Sequence, residues 1–552
     1  MSAFGRYWHT LRYLRPIQFW GRFAKLVRPN GLPSDSPLEI RIPVSFRVAP
    51  IARNRSMWAP ETFEFLNERR TLLRPSFWND PGASLLWNYN LHYFDDLNAE
   101  SAPLRCDWHR SLMCDWIEAN APGAAPGWEP YPTSLRIVNW IKFALAGNAL
   151  SAPMISSLSQ QVRWLSKRVE CHLLGNHLFA NAKALIFAGV FFSGDEADRF
   201  RKNGERILLR EIGEQLLPDG GHFERSPMYH AIIFEDVLDL INLAQGNERL
   251  VSRELERALA ESAVRMRSAM EALTHPDGEI AYFNDAAIGV AASPAALMAY
   301  AADLNVEASH NGAEGGGPAP AVSCRALVQT GYYRMETEEA VAIVDVAPIG
   351  PDYLPGHAHA DTLSFELSLF GQRMVVNGGT SCYGESLIRL LERKTAAHST
   401  VTVDGEDSSE VWSSFRVARR AYPFGLELVA DHDMATLTCR HTGYRRLPGH
   451  PVHKRQWIMA RRRLVVEDMV EQGQGHAAFA HFNLHPSTRS NRLSDTCFAV
   501  TLGNGKEVRV QALKGVAKLG SAHYGAEFGH RVLIDRISVD LSGGRSCMQI
   551  DW

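Results

Sequence analysis

One change of period constrains this chain more than any other feature. Between residues 130 and 300, apolar residues recur at helical spacing, in PTSLRIVNWIKFALAGN, ISSLSQQVRWLSKRVE, NHLFANAKALIFAGVFF and FEDVLDLINLAQGN. Beyond residue 324 they alternate instead, in AVAIVDVAP, LSFELSLFG, STVTVDG, ATLTCRHTGY, RRRLVVEDMV, AAFAHFNLHP and FAVTLGNGKEVRVQAL. The first period aligns side chains along a helix stripe and the second along one face of a strand, so the two halves must build different layers. At 552 residues the chain is also too long for one ordinary core. The expected order is an N-terminal arm (1–80), a helical domain (81–303), a linker in the Gly- and Ala-rich LNVEASHNGAEGGGPAPAVSC (304–324), and an antiparallel β-sandwich (325–552). Turn signals such as Pro218-Asp219-Gly220-Gly221 separate helical hairpins, which allows a bundle, a solenoid or a closed toroid.

The formal net charge of −3 provides no global basic field, so nucleic acid is not expected as a partner. The eight cysteines are scattered, with no pair at zinc-knuckle or redox spacing. The N-terminus, MSAFGRYWHTLRYLRPIQFWGRFAKLVRP, breaks every apolar run with a basic residue, so neither a signal peptide nor a transmembrane segment is expected. Its mixture of aromatic and basic residues suits a membrane surface. The simpler expectation is an arm packed on the protein's own body.

Four places carry chemistry. In Gly175-Asn176-His177, Asn176 reads as a helix N-cap, and His177 in the first turn feels a positive potential that favours neutral imidazole, a proton acceptor. In Asp219-Gly220-Gly221-His222-Phe223-Glu224-Arg225-Ser226-Pro227-Met228-Tyr229-His230, Tyr229 could act as acid or base if Arg225 or His230 lowered its pKa; the alternative is a loop that merely docks its aromatic groups. In Gly356-His357-Ala358-His359-Ala360-Asp361, strand geometry would put His357, His359 and Asp361 on one face, as a metal site or a polar strand edge. Thr362 occupies the last-histidine position of the His-x-His-x-Asp-His hydrolase pattern, so that pattern is incomplete. Downstream, Trp412 could stack on a sugar ring and Arg416 pair with a carboxylate or sulfate.

Taken together, GNHLFANAKAL, DGGHFERSPMYHAIIFEDVLDL, GHAHADTLSFEL with VVNGGTSCYG, and AAHSTVTVDGEDSSEVWSSFRV resemble the heparinase II/III-like polysaccharide lyases, over roughly residues 80 to 490. The resemblance implies an incomplete (α/α) toroid followed by an antiparallel β-sandwich. It implies β-elimination of an acidic, uronate-containing polysaccharide, with Asn176 and His357 at the uronate carboxylate and Tyr229 as base, acid or both. His177 would take the base role where the sugar's stereochemistry requires it. Glu224, Arg225, His230, Trp412 and Arg416 are the expected substrate-binding residues. No cofactor is needed for this chemistry. Relatives carrying structural zinc bind it at positions matching His359, Asn377 and His398; Asn377 stands where aspartate is usual, and a neutral amide oxygen is the poorer ligand.

The apparent lack of a leader places the expected site of action in the cytoplasm or at the membrane periphery of a bacterium, with export by another route left open. The same feature, together with Asn377, supports an alternative, a non-catalytic carbohydrate-binding or assembly protein of a surface-polysaccharide system. Nothing in the sequence sets the oligomeric state.

Overall fold

The computed structural model describes residues 3–27, 31–73, 77–307 and 320–552. Most of the expected linker, residues 308–319, lies outside the described residues.

The helical half alternates two kinds of helix. Pro130–Leu145, Gly175–Phe191 and Pro227–Gly246 are buried around most of their circumference. Ala152–Ser166, Asp195–Gln215 and Arg253–Ala272 bury one stripe and turn a polar face outward, which is densely charged in the last two. The sequences explain the division: LFANAKALIFAGVF has apolar residues all round, whereas DEADRFRKNGERILLREIGEQ has only a stripe of them. The result is an inner layer sheathed by an outer one, an incomplete (α/α) toroid. At Gly204 an added Cβ would lie 2.8 Å from the Ala182 carbonyl oxygen, so glycine there lets an outer helix close directly on an inner one.

Buried charge ties the inner helices together. Lys183 Nζ donates to Asp236 and Asp239 at 2.6 Å each, and Lys142 Nζ lies 2.6 Å from Asp239. Removing one partner from such a cluster leaves an uncompensated buried charge, so the three helices are held in fixed register.

The C-terminal half is two antiparallel sheets. One runs, by neighbour, Ala517–Glu527, His530–Asp540, Ala478–Leu484, Gln372–Val376, Phe365–Leu369, Ala340–Asp345, Tyr332–Glu336 and Ser323–Leu327, with Val401–Val403 also paired to Ala478–Leu484. The other runs Pro423–Ala430, Met434–His441, Val452–Ala460, Arg463–Glu471, Arg545–Asp551, Glu507–Lys514, Cys497–Thr501 and Arg489–Arg492. In the second sheet, Val452–Ala460 alternates buried and half-buried residues as a one-sided strand should. In the first, Ala340–Asp345 is buried on both faces. Ala342 and Val344 enter the sandwich core, while Val341 and Ile343 join the core of the toroid. One sheet is thus clamped between the second sheet and the helices.

Polar contacts lock this interface. Asp219 accepts the backbone N–H groups of Gln329 and Thr330 at 2.7 and 2.8 Å, and His275 reaches Glu366 at 3.1 Å and Ser368 at 2.8 Å. The N-terminal helices Ala3–Leu11 and Pro16–Val27 lie across both halves: Arg15 pairs with Glu214 at 2.6 Å, and Trp412 Nε1 donates to Thr10 at 3.1 Å. A small sheet, Met57–Ala59, Thr62–Phe65 and Glu68–Thr71, precedes the toroid. Among the described residues, no helix is long and apolar enough to cross a membrane.

Candidate active site in the cleft between toroid and sandwich

The three inner helices begin at the same cleft, and each places chemistry in its first turn: Tyr131 after Pro130, Asn176 and His177 after Gly175, and Tyr229 after Pro227. Their N-terminal ends carry unpaired N–H groups and partial positive charge, a setting that favours an anion. Ser226 and Pro227 explain one start, since the Tyr229 N–H donates to Ser226 Oγ at 3.1 Å and proline suits the first helical position. The start at Gly175 corrects the expectation for Asn176: Leu174 holds the cap position with no side-chain bond, and Asn176 lies inside the helix with its amide bonded to Tyr131. Gly175 has φ +57°, and an added Cβ would lie 2.6 Å from Leu354 and 2.8 Å from Glu224 Oε1, so glycine lets both cleft walls meet there.

His177 packs on Tyr131, ring centroids 4.4 Å apart, and its Nδ1 lies 3.2 Å from Glu170 Oε1. Burial opposes charge on this imidazole, but the charge and hydrogen bond of Glu170 outweigh it and raise its pKa. The neutral imidazole expected from the helix end is therefore overridden by a carboxylate.

Tyr229 is 7% exposed. Its ring stacks on His357 at 3.9 Å, and its hydroxyl lies 3.2 Å from that of Tyr383. Burial, then the fields of Tyr383 and Asp285, push its pKa well above the usual phenol value. The cations expected to lower it point elsewhere. Arg225, with φ +58°, donates to the Thr330 carbonyl at 2.9 Å, and its own carbonyl accepts from Asn284 and Tyr332. His230 lies 3.0 Å from the Met266 carbonyl, with burial pushing its pKa down to about 4. Both serve the joint between domains and the helix packing, not the cleft.

His357 sits between two buried carboxyls. Its Nδ1 donates to Asp285 Oδ2 at 2.9 Å, and its Nε2 lies 3.6 Å from Glu224 Oε2. Asp285 is heavily satisfied: Arg389 grips both oxygens, one at 2.7 Å, and His359 Nε2 donates to Oδ1 at 2.8 Å. Burial opposes its ionisation, yet Arg389 and then the two imidazoles hold it well below the usual carboxylate range. Glu224 is the reverse. Among the described residues its oxygens face only the His357 ring and the Asn176 backbone N–H, and burial, only partly offset by these two, pushes its carboxyl upward. A buried carboxyl so weakly partnered at a cleft is positioned for a ligand.

The segment GHAHAD is not a strand; regular structure resumes at Phe365. Side-chain alternation therefore does not apply. His357 faces the cleft, His359 turns inward, and Asp361 accepts the Asn284 N–H at 2.8 Å. The expected zinc residues do not fit a metal. With His359 Nε2–H given to Asp285, its Nδ1 accepts from His398 Nε2 at 3.3 Å, so both His359 nitrogens are taken and His398 keeps only Nδ1 without a hydrogen-bond partner among the described residues. Asn377 Oδ1 accepts from the Ser399 N–H at 3.0 Å, and its amide nitrogen donates to Ser364. Arg389 supplies the positive charge against Asp285, 3.4 Å from His359 Nε2. Among the described residues no His, Cys, Asp and Glu cluster could hold a metal ion.

Trp412 and Arg416, expected at the substrate, lie beneath the N-terminal arm: Tyr7 meets the Trp412 ring edge-on at 5.0 Å, and Arg416 sits 4.9 Å over the same ring. The residue between them, Phe415, is the one that reaches His357, at 6.1 Å. Sequence reasoning missed Tyr131, Glu170, Asp285, Tyr383, Arg389 and Phe415. Tyr383, in VVNGGTSCYG, and Phe415, in EVWSSFRV, lay inside the quoted motifs and could have been found there.

Comparison with known proteins agrees with this architecture. Residues 68–304 match the family described as Heparinase II/III N-terminus, and residues 319–552 that described as Heparinase II/III-like, C-terminal. The chain belongs to the heparinase II/III-like family. A heparin-sulfate lyase of Pedobacter heparinus is 27% identical over 320 residues, covering 53% of this chain and 47% of that protein. The FtsZ-localized protein C of Caulobacter vibrioides is 28% identical over 314 residues, covering 55% and 50%. The chain thus aligns with about half the length of these curated relatives. The crystal structure of heparinase III superposes with a TM-score of 0.70 at 16% identity, covering 97% of this chain and 89% of that one, and has the same toroid and sandwich fold.

Proposed function

We propose that this chain is a polysaccharide lyase that cleaves a uronic-acid-containing acidic polysaccharide by β-elimination, leaving a 4,5-unsaturated uronate. The observation that carries the reading is the meeting in one cleft of a phenol stacked on an imidazole, Tyr229 on His357, with the Asn176 and His177 helix start. Asn176 and His357 bind the uronate carboxylate and spread its charge, which makes the adjacent C5 proton acidic enough to remove. His177, after losing the proton that Glu170 favours, accepts the C5 proton, whose electron pair forms the C4–C5 double bond as the C4–O bond breaks with its electrons on the glycosidic oxygen. Tyr229, kept as a neutral phenol by burial, protonates that oxygen. Where the C5 proton faces Tyr229 instead, Tyr229 reacts as its phenolate, taking the C5 proton and passing it to the departing glycosidic oxygen. Glu224 supplies a hydrogen-bonding carboxyl to the bound sugar.

Incubation with uronate polymers of the glycosaminoglycan, alginate and bacterial surface classes should yield a product absorbing in the near ultraviolet. Tyr229→Phe should lower turnover by about 10²- to 10⁴-fold with substrate binding retained. Glycan binding without unsaturated product, at high protein concentration and from every polymer, would instead support a non-catalytic carbohydrate-binding or assembly protein. A relative named for FtsZ localisation, as similar as the lyase, favours keeping that second reading.

A further inference from the structure

The N-terminal arm has two unlike sides. Its inner side is bound to the protein: Tyr7 against Trp412, Thr10 under the Trp412 indole, Arg15 on Glu214, and Gln18, 2% exposed, donating to the Tyr353 carbonyl at 3.1 Å. Its outer side leaves large apolar groups in water. Phe4 is 82% exposed, Trp8 60%, Trp20 68% and Phe23 56%, with Leu11 and Phe19 near half. On Ala3–Leu11 the spacing of Phe4, Trp8 and Leu11 makes one stripe; on Pro16–Val27, Phe19 and Phe23 are a turn apart, and Trp20 meets Phe23 edge-on at 6.2 Å. A contiguous apolar stripe of this kind marks a surface that something covers.

Charge selects the cover. Residues 1–34 contain no Asp or Glu but carry Arg6, Arg12, Arg15, Arg22, Lys25 and Arg28, although acids outnumber bases, 61 to 58, over the whole chain. A second copy meeting this face would set arginines against arginines with no acid between them. An acidic polysaccharide would pair with the arginines and stack on the indoles of Trp8 and Trp20, but offers nothing apolar to cover Phe4, Leu11 and Phe23. An anionic bilayer satisfies both, with phosphates for the cations and the acyl boundary for the rings. At 9 and 12 residues the helices are too short to span a membrane, which takes about 20 residues, so they lie in its plane.

We propose that the N-terminal helix pair docks this protein on an anionic lipid bilayer, through Phe4, Trp8, Leu11, Phe19, Trp20 and Phe23 with the exposed Arg6, Arg12 and Arg22. The arm rests on the hairpin whose tip, Phe415, reaches His357, so docking sets the mouth of the cleft beside the bilayer.

The full chain should co-sediment with vesicles containing phosphatidylglycerol and at least about tenfold less with pure phosphatidylcholine vesicles. Binding should weaken with salt, as screening shortens from about 10 Å at 0.1 M to about 3 Å at 1 M. The combined variant Phe4→Ser, Trp8→Ser, Trp20→Ser and Phe23→Ser changes only outward side chains, and should bind at least about 100-fold more weakly with an unchanged melting temperature. Should that variant fail to fold, Arg12→Glu with Arg22→Glu tests the same surface and should abolish the preference for anionic vesicles. Absence of co-sedimentation with either vesicle overturns the proposal. So does equal binding by both variants, or a dimer in solution that the serine variant dissociates while vesicles leave the protein in the supernatant.

Discussion

The two carboxyls flanking His357 come from opposite walls of the cleft and live under opposite conditions. Asp285, on the wall shared with the sandwich, is surrounded by Arg389, His357 and His359 and stays ionised. Glu224, on the toroid wall, is as deeply buried but among the described residues faces only the His357 ring and the Asn176 backbone N–H, and its pKa is pushed upward. The difference separates scaffold from working surface. A fully satisfied group holds its neighbours in place, whereas an unsatisfied one retains a hydrogen bond to give to a ligand. The same contrast divides the histidines of GHAHAD, with His359 locked into the Asp285 and His398 network and His357 tethered on one nitrogen and open toward the cleft on the other.

The sharpest way to break this comparison is Asp285→Ala. It strands the buried Arg389 guanidinium and both imidazoles, and should cost roughly 3–5 kcal/mol in a urea denaturation series. A loss under about 1 kcal/mol would mean that Asp285 is not the scaffold of this wall.

Acid should weaken this scaffold. His359 and His398 are held neutral by burial, with pKa values pushed down to about 4 and about 3. Below the ordinary value of 6.5 the unfolded chain binds protons that these folded imidazoles refuse, so stability falls as pH drops from 6.5 toward 4, by up to about 1.4 kcal/mol per pH unit for each. Denaturation midpoints measured from pH 7.5 to 5 should show this slope, and His359→Gln should reduce it.

A smaller and opposite effect is expected on the toroid wall. Glu224→Gln removes an ionisable group that the fold buries without compensation, and should raise stability at neutral pH by about 1 kcal/mol while weakening substrate binding. A destabilised variant would show that Glu224 has an unseen structural partner. The smallest effect is chelation: with Asn377 and both histidines bonded to protein partners, EDTA should leave the melting temperature unchanged. A fall of several degrees would restore a metal to the sandwich.

The division of the candidate site into legible and illegible parts follows the range of the interactions. Asn176, His177, Tyr229 and His357 stood out because each lies in a short stretch dense with ionisable groups. Asp285 did not, since its meaning depends on His357, 72 residues away, and Arg389, 104 residues away. Trp412 and Arg416 misled because residues suited to a sugar serve equally well to seat an aromatic arm. The alternation inferred for GHAHAD failed because an irregular segment has no fixed side-chain period.

Periodicity by itself determined that helices come first and strands second, because burying one stripe or one face is a local demand that each segment states in its own residues. The motifs by themselves determined the family and the residue types available for chemistry. Only the tertiary structure decided which carboxyl is tethered and which is left open. It also decided that His177 is drawn toward its charged form, that Arg389 is the cation beside Asp285 and His359, and that the arm keeps an aromatic face in water. Those outcomes depend on burial and on partners distant in the chain, and the free energy of a charge is set by what surrounds it in space.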